Sequence, residues 1–503
     1  METKPEANGK MDTKENMEAK KEEEKVEEVD KMVQAIGTFE RWQIMLCVMV
    51  AFPSRISAAW QQLGIVFVAP ATSFQCTETN LTDSIQPATC YRDCAKYEYF
   101  TEFENTIISE WDLVCERAWM ANLTQTLCMA GVLIGSIFFG FVADRFGRRI
   151  ALLIACILQL VTSLIEPFSI SYWMFTIVRF FIGTSIAGTM LCSYILMMEI
   201  TGPKRRELMS VLCALPFPIG QMLMPLFSYY LRSWNRFCLG VGIPNLIYLI
   251  YIFLLPESPK WLISQGRLED ASKVMASAAR WNNRPSDNML DVAKAIAYEN
   301  ANSKDGQQGK ATYMDLLRTK VLRVNIIGSC SLWFMLGISF YGSNQYIGQT
   351  SSNAFVSVAL AGVFQLPGIM LSGILSKKVG RRITLICFFC VCAVSNALLA
   401  VPEDLFIVRL VAGAVGVGCA SGAFATVYMY TTELFPTVTR NMAMGASSTI
   451  SRVGSMLAPY VAGLTTVALW LPPAAFAIVP VLGALTLLIL PETKGKILRD
   501  HVA

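Results

Sequence analysis

Long apolar stretches separated by polar connections make up most of the chain. Each stretch reaches the roughly 20 residues that a helix needs to cross a bilayer. Two longer polar segments, residues 71–118 and 257–321, interrupt the series. The pattern predicts twelve membrane spans, numbered 1 to 12 in chain order: residues 42–70, 119–143, 150–168, 171–198, 208–231, 236–255, 322–348, 353–376, 383–401, 404–430, 441–467 and 470–490.

The composition supports this prediction and excludes several functional classes. Of the 503 residues, 54% are hydrophobic and only 16% are charged, whereas about a quarter of a soluble domain is charged. The single histidine, His501, rules out histidine-based metal sites and Ser-His-Asp triads. We therefore expect no enzymatic activity, no metal, no cofactor and no nucleic-acid partner, and the lipid bilayer as the surroundings.

Basic residues predict the orientation of the spans, because short loops rich in lysine and arginine face the cytoplasm. Such residues follow spans 2, 4, 8 and 10, whereas the loop 71–118 is acidic. We expect this loop outside the cell and both termini inside. The predicted regions are a cytoplasmic Glu/Lys-rich tail (1–40), a first bundle (41–256), a cytoplasmic linker with short helices (257–321), a second bundle (322–490) and a cytoplasmic tail (491–503).

The outer loop contains four cysteines and a glycosylation sequon. Cys76, Cys90, Cys94 and Cys115 form an even set in an oxidising compartment, which predicts two disulfides with three pairings open. The sequon Asn80-Leu81-Thr82 predicts a glycan on Asn80.

The two halves of the chain repeat each other. GFVADRFGRR at 140–149 aligns with GILSKKVGRR at 373–382, and Glu199 with Arg206 aligns with Glu433 and Arg440. Several matches in the same order indicate an ancient duplication. The predicted fold is therefore an all-α membrane protein of twelve helices in two pseudo-symmetric six-helix bundles.

The repeated motif suggests a gate. Asp144 can pair with loop arginines and form a charge latch between helix ends that breaks in one state. Plain anchoring at the membrane surface explains the arginines but not the aspartate. In the second copy Lys377 replaces the aspartate, which weakens any latch there. The candidate gating residues are Asp144, Arg145, Arg148, Arg149, Glu199, Arg206, Glu433 and Arg440.

The motif and the repeat resemble those of the major facilitator superfamily. Three segments carry a narrower resemblance: SEWDLVCE at 109–116, LPESPKWLISQGR at 255–267, and ELFPTVTRNMAMGASSTISRVGS at 433–455. From Phe39 to Asp500 the chain is similar to the organic cation, anion and zwitterion (carnitine) transporters, and looks most like the carnitine/organic-cation branch. The resemblance implies a monomeric plasma-membrane carrier of small charged organic molecules.

Arg452 is the central candidate for substrate recognition. It lies near the middle of span 11, where a charge is costly unless it lines a polar cavity. The resemblance implies that cation-specific relatives have an aspartate at this position, whereas anion and carnitine carriers have arginine. The lysine that anion carriers have in span 8 is Ile369 here. A zwitterion fits both observations, with its carboxylate on Arg452.

Aromatic and amide side chains complete the predicted cavity. They would hold an amine by cation–π contact and by hydrogen bonds. For each side chain alone, packing against a neighbouring helix explains the residue equally well. The candidates are Tyr194, Gln221, Tyr229, Trp333, Phe340, Tyr341 and Gln365.

We therefore expect a secondary transporter that works by alternating access on carboxylate-bearing amines such as carnitine-like compounds. One alternative is a polyspecific organic cation transporter. Another is a membrane receptor that does not transport. The exact substrate, the coupling ion and the disulfide pairing stay open at the level of sequence.

Overall fold

The computed structural model describes residues 31–78, 90–91, 94, 96–202, 205–302, 313–350 and 353–494. Eleven helical segments of this described part are long and apolar enough to cross a membrane, and they correspond to spans 1 to 10 and span 12: Arg41–Leu63, Cys115–Phe146, Arg148–Phe168, Tyr172–Ile200, Arg206–Tyr230, Trp234–Leu254, Lys320–Gln349, Ala354–Lys378, Arg381–Ala400, Phe406–Leu434 and Leu471–Ile489.

Span 11 is the helix Thr437–Gly463. It is less apolar than the others because it carries Arg452 and a run of serines and threonines. Each of the twelve predicted spans thus has its helix, which confirms the predicted fold class.

Prolines interrupt three of the spans. Span 1 consists of helices Arg41–Leu46 and Phe52–Leu63 joined by a π-helical turn at Cys47–Ala51, and a short helix Ile65–Val68 follows. Span 5 divides into Arg206–Ala214 and Pro216–Tyr230, and span 6 into Trp234–Gly242 and Tyr248–Leu254 around a 3-10 turn. A proline near the start of the second helix, or in the turn, explains each break, because proline lacks the N–H that continues the hydrogen-bond ladder.

The loop after span 1 has a small fold of its own. Strands Ser73–Glu78 and Lys96–Phe100 pair antiparallel, with Cys76 opposite Tyr97. A short helix, Ile107–Glu110, follows. Disulfides join Cys76 to Cys94 and Cys90 to Cys115, with Cα separations of 5.9 and 5.6 Å. The predicted glycosylation site Asn80 lies outside the described residues.

The chain divides into two compact units. The larger unit comprises residues 48–194, 212–255 and 309–503, and the smaller one residues 1–47, 195–211 and 256–308. The smaller unit contains the helices Lys31–Ile36, Arg41–Leu46, Pro259–Ser264, Leu268–Trp281 and Met289–Asn302. Residues 1–30, 303–312 and 495–503 of the predicted tails and linker lie outside the described part, and the predicted five-region division stays a prediction.

Side-chain hydrogen bonds hold the smaller unit together. The backbone N–H of Trp42 donates to the Asn282 amide oxygen at 2.9 Å, and the Asn282 amide nitrogen donates to Gln43 at 3.1 Å. Arg284 forms an ion pair with Glu40. These contacts fix the segment before span 1 onto the helices that follow span 6.

Glycines allow helices of the larger unit to approach closely. A Cβ atom on Gly131 in span 2 would lie 2.0 Å from the backbone oxygen of Phe180 in span 4, and one on Gly368 in span 8 would lie 2.2 Å from the backbone oxygen of Gly418 in span 10. Close approach of two helices at a glycine thus occurs in both halves, as expected for small residues at membrane helix interfaces.

Candidate functional site

Arg452 begins a polar chain that crosses the larger unit. It lies fifteen residues after Thr437, about 22 Å along its helix, and is half-buried. Its Nη1 donates to the Tyr341 hydroxyl at 2.9 Å, and that hydroxyl donates to the side-chain oxygen of Gln62 at 2.8 Å. Within the described part of the chain, the Tyr341 hydroxyl is the hydrogen-bond partner of this guanidinium and no carboxylate pairs with it. Spans 11, 7 and 1 therefore meet at an arginine whose charge is not balanced.

Amides form a second polar group, joining spans 5, 7 and 8. The Gln221 amide donates to Asn344 at 2.8 Å, and the Gln365 amide donates to Gln221 at 2.6 Å. All three side chains are buried. The structure thus brings the candidates Gln221 and Gln365 together: the Gln221 amide oxygen accepts from Gln365, and its amide nitrogen donates to Asn344.

Aromatic rings of spans 5, 7 and 10 form a continuous series. Phe340 lies 6.3 Å from Phe217 and 5.4 Å from Phe424 between ring centroids, and Trp333 lies 6.1 Å from Phe424 and 4.5 Å from Tyr428. The Trp333 indole N–H donates to Thr431 at 2.9 Å. The structure therefore brings the candidates Trp333, Phe340 and Tyr341 together.

The other two aromatic candidates lie in different surroundings. Tyr194 in span 4 packs against Arg55 of span 1, with 5.9 Å from the guanidinium carbon to the ring centroid. Tyr229 is 52% exposed near the end of its helix, beneath Arg232 at 4.9 Å and beside Phe355. The structure does not bring Tyr229 to Arg452.

Some residues of the cavity escaped the sequence analysis. Gln62 accepts a hydrogen bond from Tyr341, and Phe217 and Phe424 extend the ring series. Helical spacing offers a signal for Gln62, because it lies seven residues after Arg55 on the same face.

A buried ion pair stabilises the first half. Arg179 donates to Glu166 and to the backbone oxygen of Gln61, each at 3.0 Å, and to Gln125 at 3.3 Å. Both charged side chains are almost completely buried. Arg179 therefore joins spans 1, 2 and 4 to the end of span 3, which is a structural role.

Besides the hydrogen bonds of Tyr341 with Gln62 and of Gln221 with Asn344, the two halves touch around Phe67 and Phe355, which we call the closed end. These two rings stack with centroids 5.6 Å apart and an interplanar angle of 15°. Nearby, the Thr126 hydroxyl donates to the backbone oxygen of Met456 at 2.9 Å. Within the second half, an apolar cleft of about 400 Å³ lies between spans 7 and 11, lined among others by Ile327, Phe334 and Ile450.

The first copy of the loop motif forms one ion pair and two hydrogen bonds to backbone oxygens inside its own half. The Asp144 carboxylate lies 3.3 Å from the Arg148 guanidinium, and Arg148 also donates to the Ala143 backbone oxygen. Arg149 donates to the backbone oxygen of Ile252 at 3.0 Å. Arg145 is exposed.

The second copy forms an ion pair through a different carboxylate. Arg381 binds Glu433 at 2.8 Å, and Thr493 donates to the other Glu433 oxygen at 2.6 Å. Lys377, which replaces the aspartate, therefore does not abolish a charged contact in this copy. Arg440 is half-buried, and its Nε and Nη2 have no hydrogen-bond partner in the described part.

The two remaining gating candidates, Glu199 and Arg206, belong to the smaller unit, where Glu199 is half-buried and Arg206 is exposed. Their predicted role stays a prediction.

Twelve membrane helices in two repeated halves, with a central arginine that no carboxylate of the described residues pairs with, are typical of a membrane transporter. The sugar (and other) transporter family matches residues 116–500. Solute carrier family 22 member 12 of Rattus norvegicus is 34% identical over 430 residues, 85% of this chain and 77% of that protein. The organic cation/carnitine transporter 2 of Homo sapiens is 33% identical over 403 residues, 79% of this chain and 71% of that protein. The chain belongs to this family of the major facilitator superfamily, among the solute carrier 22 organic-ion transporters.

Solved structures show the same fold. The xylose transporter XylE from E. coli, in a partially occluded inward open conformation, superposes with a TM-score of 0.62 at 16% identity, covering 88% of this chain and 96% of that one. The inward open conformation of XylE gives 0.62 at 18% identity, covering 91% and 97%. The comparisons confirm the predicted family and a transporter rather than an enzyme.

Proposed function

We propose that this protein is a plasma-membrane carrier of small zwitterionic amines that bear a carboxylate, and that it works by alternating access. The name of one relative, an organic cation/carnitine transporter, supports this substrate class. The proposed carrier is a monomer without cofactor, with both termini in the cytoplasm, as the basic loops after spans 2, 4, 8 and 10 indicate.

The charge of Arg452, which no carboxylate in the described part of the chain balances, carries the proposal. A charge within a bilayer costs several kcal/mol unless it is paired or lies in a water-filled cavity. Tyr341 offers Arg452 a hydroxyl but no negative charge. A substrate carboxylate supplies the missing charge, and the planar guanidinium can hold both of its oxygens.

The aromatic series suits the amine of the same substrate. Phe340 lies beside Tyr341, which itself contacts Arg452, and Phe424 lies beside Phe340. A quaternary or protonated amine is attracted to such ring faces by about 0.5–2 kcal/mol. The same rings also favour the second candidate function, an organic cation carrier whose substrates lack a carboxylate.

The contacts between the halves support rocking about this centre. The stacked Phe67 and Phe355 rings close one end. The ion pairs Asp144–Arg148 and Arg381–Glu433 each lie within one half. We propose that Asp144 and these arginines exchange partners when the closed end opens.

Uptake of labelled carnitine into transfected cells tests the proposal. Arg452→Lys should raise the apparent KM roughly tenfold, because lysine keeps the charge but lacks the planar guanidinium that binds both carboxylate oxygens. Arg452→Ala should lose uptake while surface expression persists. Arg236→Ala, in an exposed ion pair with Glu104, is the matched control and should behave like the wild type.

Competition separates the two candidate functions. Choline lacks a carboxylate. Its inhibition constant, measured against uptake of another labelled cation, should therefore differ less than twofold between Arg452→Ala and the wild type. If Arg452→Ala reaches the surface and takes up carnitine with unchanged KM, the zwitterion proposal is wrong.

A further inference from the structure

The outer loop contributes a side chain to the closed end. Phe103 follows the strand Lys96–Phe100 by three residues and is only 9% exposed. Its ring centroid lies 5.7 Å from that of Phe355 in span 8 and 6.4 Å from that of Phe67. This loop residue therefore contacts both halves of the molecule and completes a triangle of rings with the stacked pair.

Hydrogen bonds fix this part of the loop to the first half. The Arg232 guanidinium donates to the backbone oxygen of Glu102 at 3.1 Å, and the backbone N–H of Glu104 donates to the backbone oxygen of Arg232 at 3.0 Å. These bonds anchor the residues immediately before and after Phe103 to the connection between spans 5 and 6. The first half therefore holds the Phe103 ring in place, and the ring packs against the second half.

Phe355 is the side chain of the second half that this arrangement surrounds. Besides Phe67 and Phe103, the Tyr229 ring lies 5.7 Å from it between centroids, and the guanidinium carbon of Arg232 lies 5.7 Å from its centroid. We call these four side chains of the first half the Phe355 socket. Ring pairs and cations at such distances attract each other beyond the effect of buried area alone. Separation of the halves at this end breaks all four contacts.

We infer that Phe103 is a gating residue, through which the outer loop holds the closed end shut around Phe355. This inference rests on one part of the proposed function, alternating access, because it assumes that the closed end opens. It does not depend on the substrate. A contact that exists in only one of two states shifts the equilibrium toward that state. Loss of the Phe103 ring should therefore favour the state in which this end is open.

Labelling of an introduced thiol measures how often the closed end opens. Val66→Cys places a thiol in the helix Ile65–Val68, where residue 66 is buried against Gly348 of span 7, in the other half. Purified full-length protein is treated with a maleimide, and modification of this peptide is followed by mass spectrometry. Adding Phe103→Ala should raise the labelling rate about tenfold, because two ring contacts are lost. Phe100→Ala, which removes a 50% exposed ring of the same loop, is the matched control and should stay within twofold.

A double variant shows whether the effect depends on the Phe355 ring. Once Phe355→Ala is present, Phe103→Ala should change the labelling rate less than twofold, because the shared contact is already lost. Phe103→Leu keeps an apolar side chain and should give an intermediate rate. Modification of the buried native Cys128, which reports unfolding, should not change in any variant.

The inference is wrong if Phe103→Ala leaves the labelling rate of the introduced thiol unchanged, or if Phe100→Ala raises it equally. It is also wrong if the effects of Phe103→Ala and Phe355→Ala multiply as independent changes do, or if Cys128 is modified in parallel with the introduced thiol. No substrate takes part in this experiment. An unchanged carnitine KM in Arg452→Ala refutes the proposed substrate class alone, so the two failures are distinguishable.

Discussion

At the scale of single residues, the partners of each buried arginine separate structure from transport. Arg179 has a carboxylate and two oxygens from neighbouring helices, whereas Arg452 has a hydroxyl. The charge of Arg179, which holds helices together, is neutralised by Glu166. An arginine that no carboxylate of the described residues neutralises is available to a ligand.

Removing one member of the buried pair should destabilise the protein strongly. Glu166→Ala leaves Arg179 charged without its carboxylate, which typically costs about 3–5 kcal/mol. The thermal unfolding midpoint in detergent should fall by many degrees. Glu104→Ala, which breaks the exposed pair with Arg236, should cost no more than about 1 kcal/mol. Equal midpoints for the two variants would contradict the structural role.

At the scale of elements, glycines set the distance between helices and Glu492 sets where span 9 begins. Helix Arg381–Ala397 starts at Gly380, whose φ of 110° favours glycine. The Glu492 carboxylate accepts the backbone N–H groups of Arg381 at 3.0 Å and Arg382 at 3.1 Å. It thereby caps the helix from a segment 110 residues away in sequence.

Adding one methyl group at a helix contact should loosen the first half. Gly131→Ala forces spans 2 and 4 apart, since its Cβ would lie 2.0 Å from the Phe180 oxygen, and overpacking costs about 1–3 kcal/mol. Gly373→Ala is the matched control, because nothing lies within 4 Å of its Cβ. A lower unfolding midpoint for Gly131→Ala than for Gly373→Ala checks this prediction. Identical midpoints would refute it.

The cap formed by Glu492 predicts a dependence of stability on pH. Burial acts to raise the pKa of this carboxyl, but backbone N–H donors, including those of Arg381 and Arg382, hold the pKa below its ordinary value of 4.5. The folded state therefore binds a proton less readily than the unfolded state, so the ionised cap stabilises the fold above pH 4.5. This contribution is lost as the pH falls through the lowered folded pKa.

Glu492→Gln should accordingly lower the free energy of unfolding at pH 7 by roughly 0.5–2 kcal/mol, the usual contribution of a helix cap. The unfolding midpoint should fall with it. The difference from the wild type should shrink when midpoints are measured at progressively lower pH below 4.5. A difference that stays constant over that range would show that the charge of Glu492 does not stabilise the helix.

At the scale of the whole molecule, transport requires the closed end to open. The stacked rings of Phe67 and Phe355 join the two halves there, and Thr126 adds a hydrogen bond to Met456. Motion of one half against the other must separate these groups, because packed interfaces switch between discrete arrangements.

Linking the closed end should therefore stop transport. The double variant Phe67→Cys/Phe355→Cys, treated with a short bifunctional thiol reagent, should lose carnitine uptake by about tenfold or more at unchanged surface expression. Each single variant, treated in the same way, controls for the eleven native free cysteines. Full uptake after demonstrated crosslinking would show that these residues need not separate.

The sequence by itself determined the twelve spans, the two repeated halves and the family. These features are local or periodic: an apolar run of bilayer length is complete within one segment, and a repeated motif keeps its order along the chain. Arg452 was also found from sequence, because a charge inside an apolar run is conspicuous.

Only the tertiary structure decided which groups meet. The contact of Gln62 with Tyr341 depends on the rotation of span 1, and the pairing of Glu166 with Arg179 depends on how spans 3 and 4 pack. The pairing of Cys76 with Cys94 and of Cys90 with Cys115 belongs to a loop whose two strands are separated along the chain. Such contacts join residues distant in sequence, and the amino-acid sequence alone does not show how the helices pack to bring these residues together.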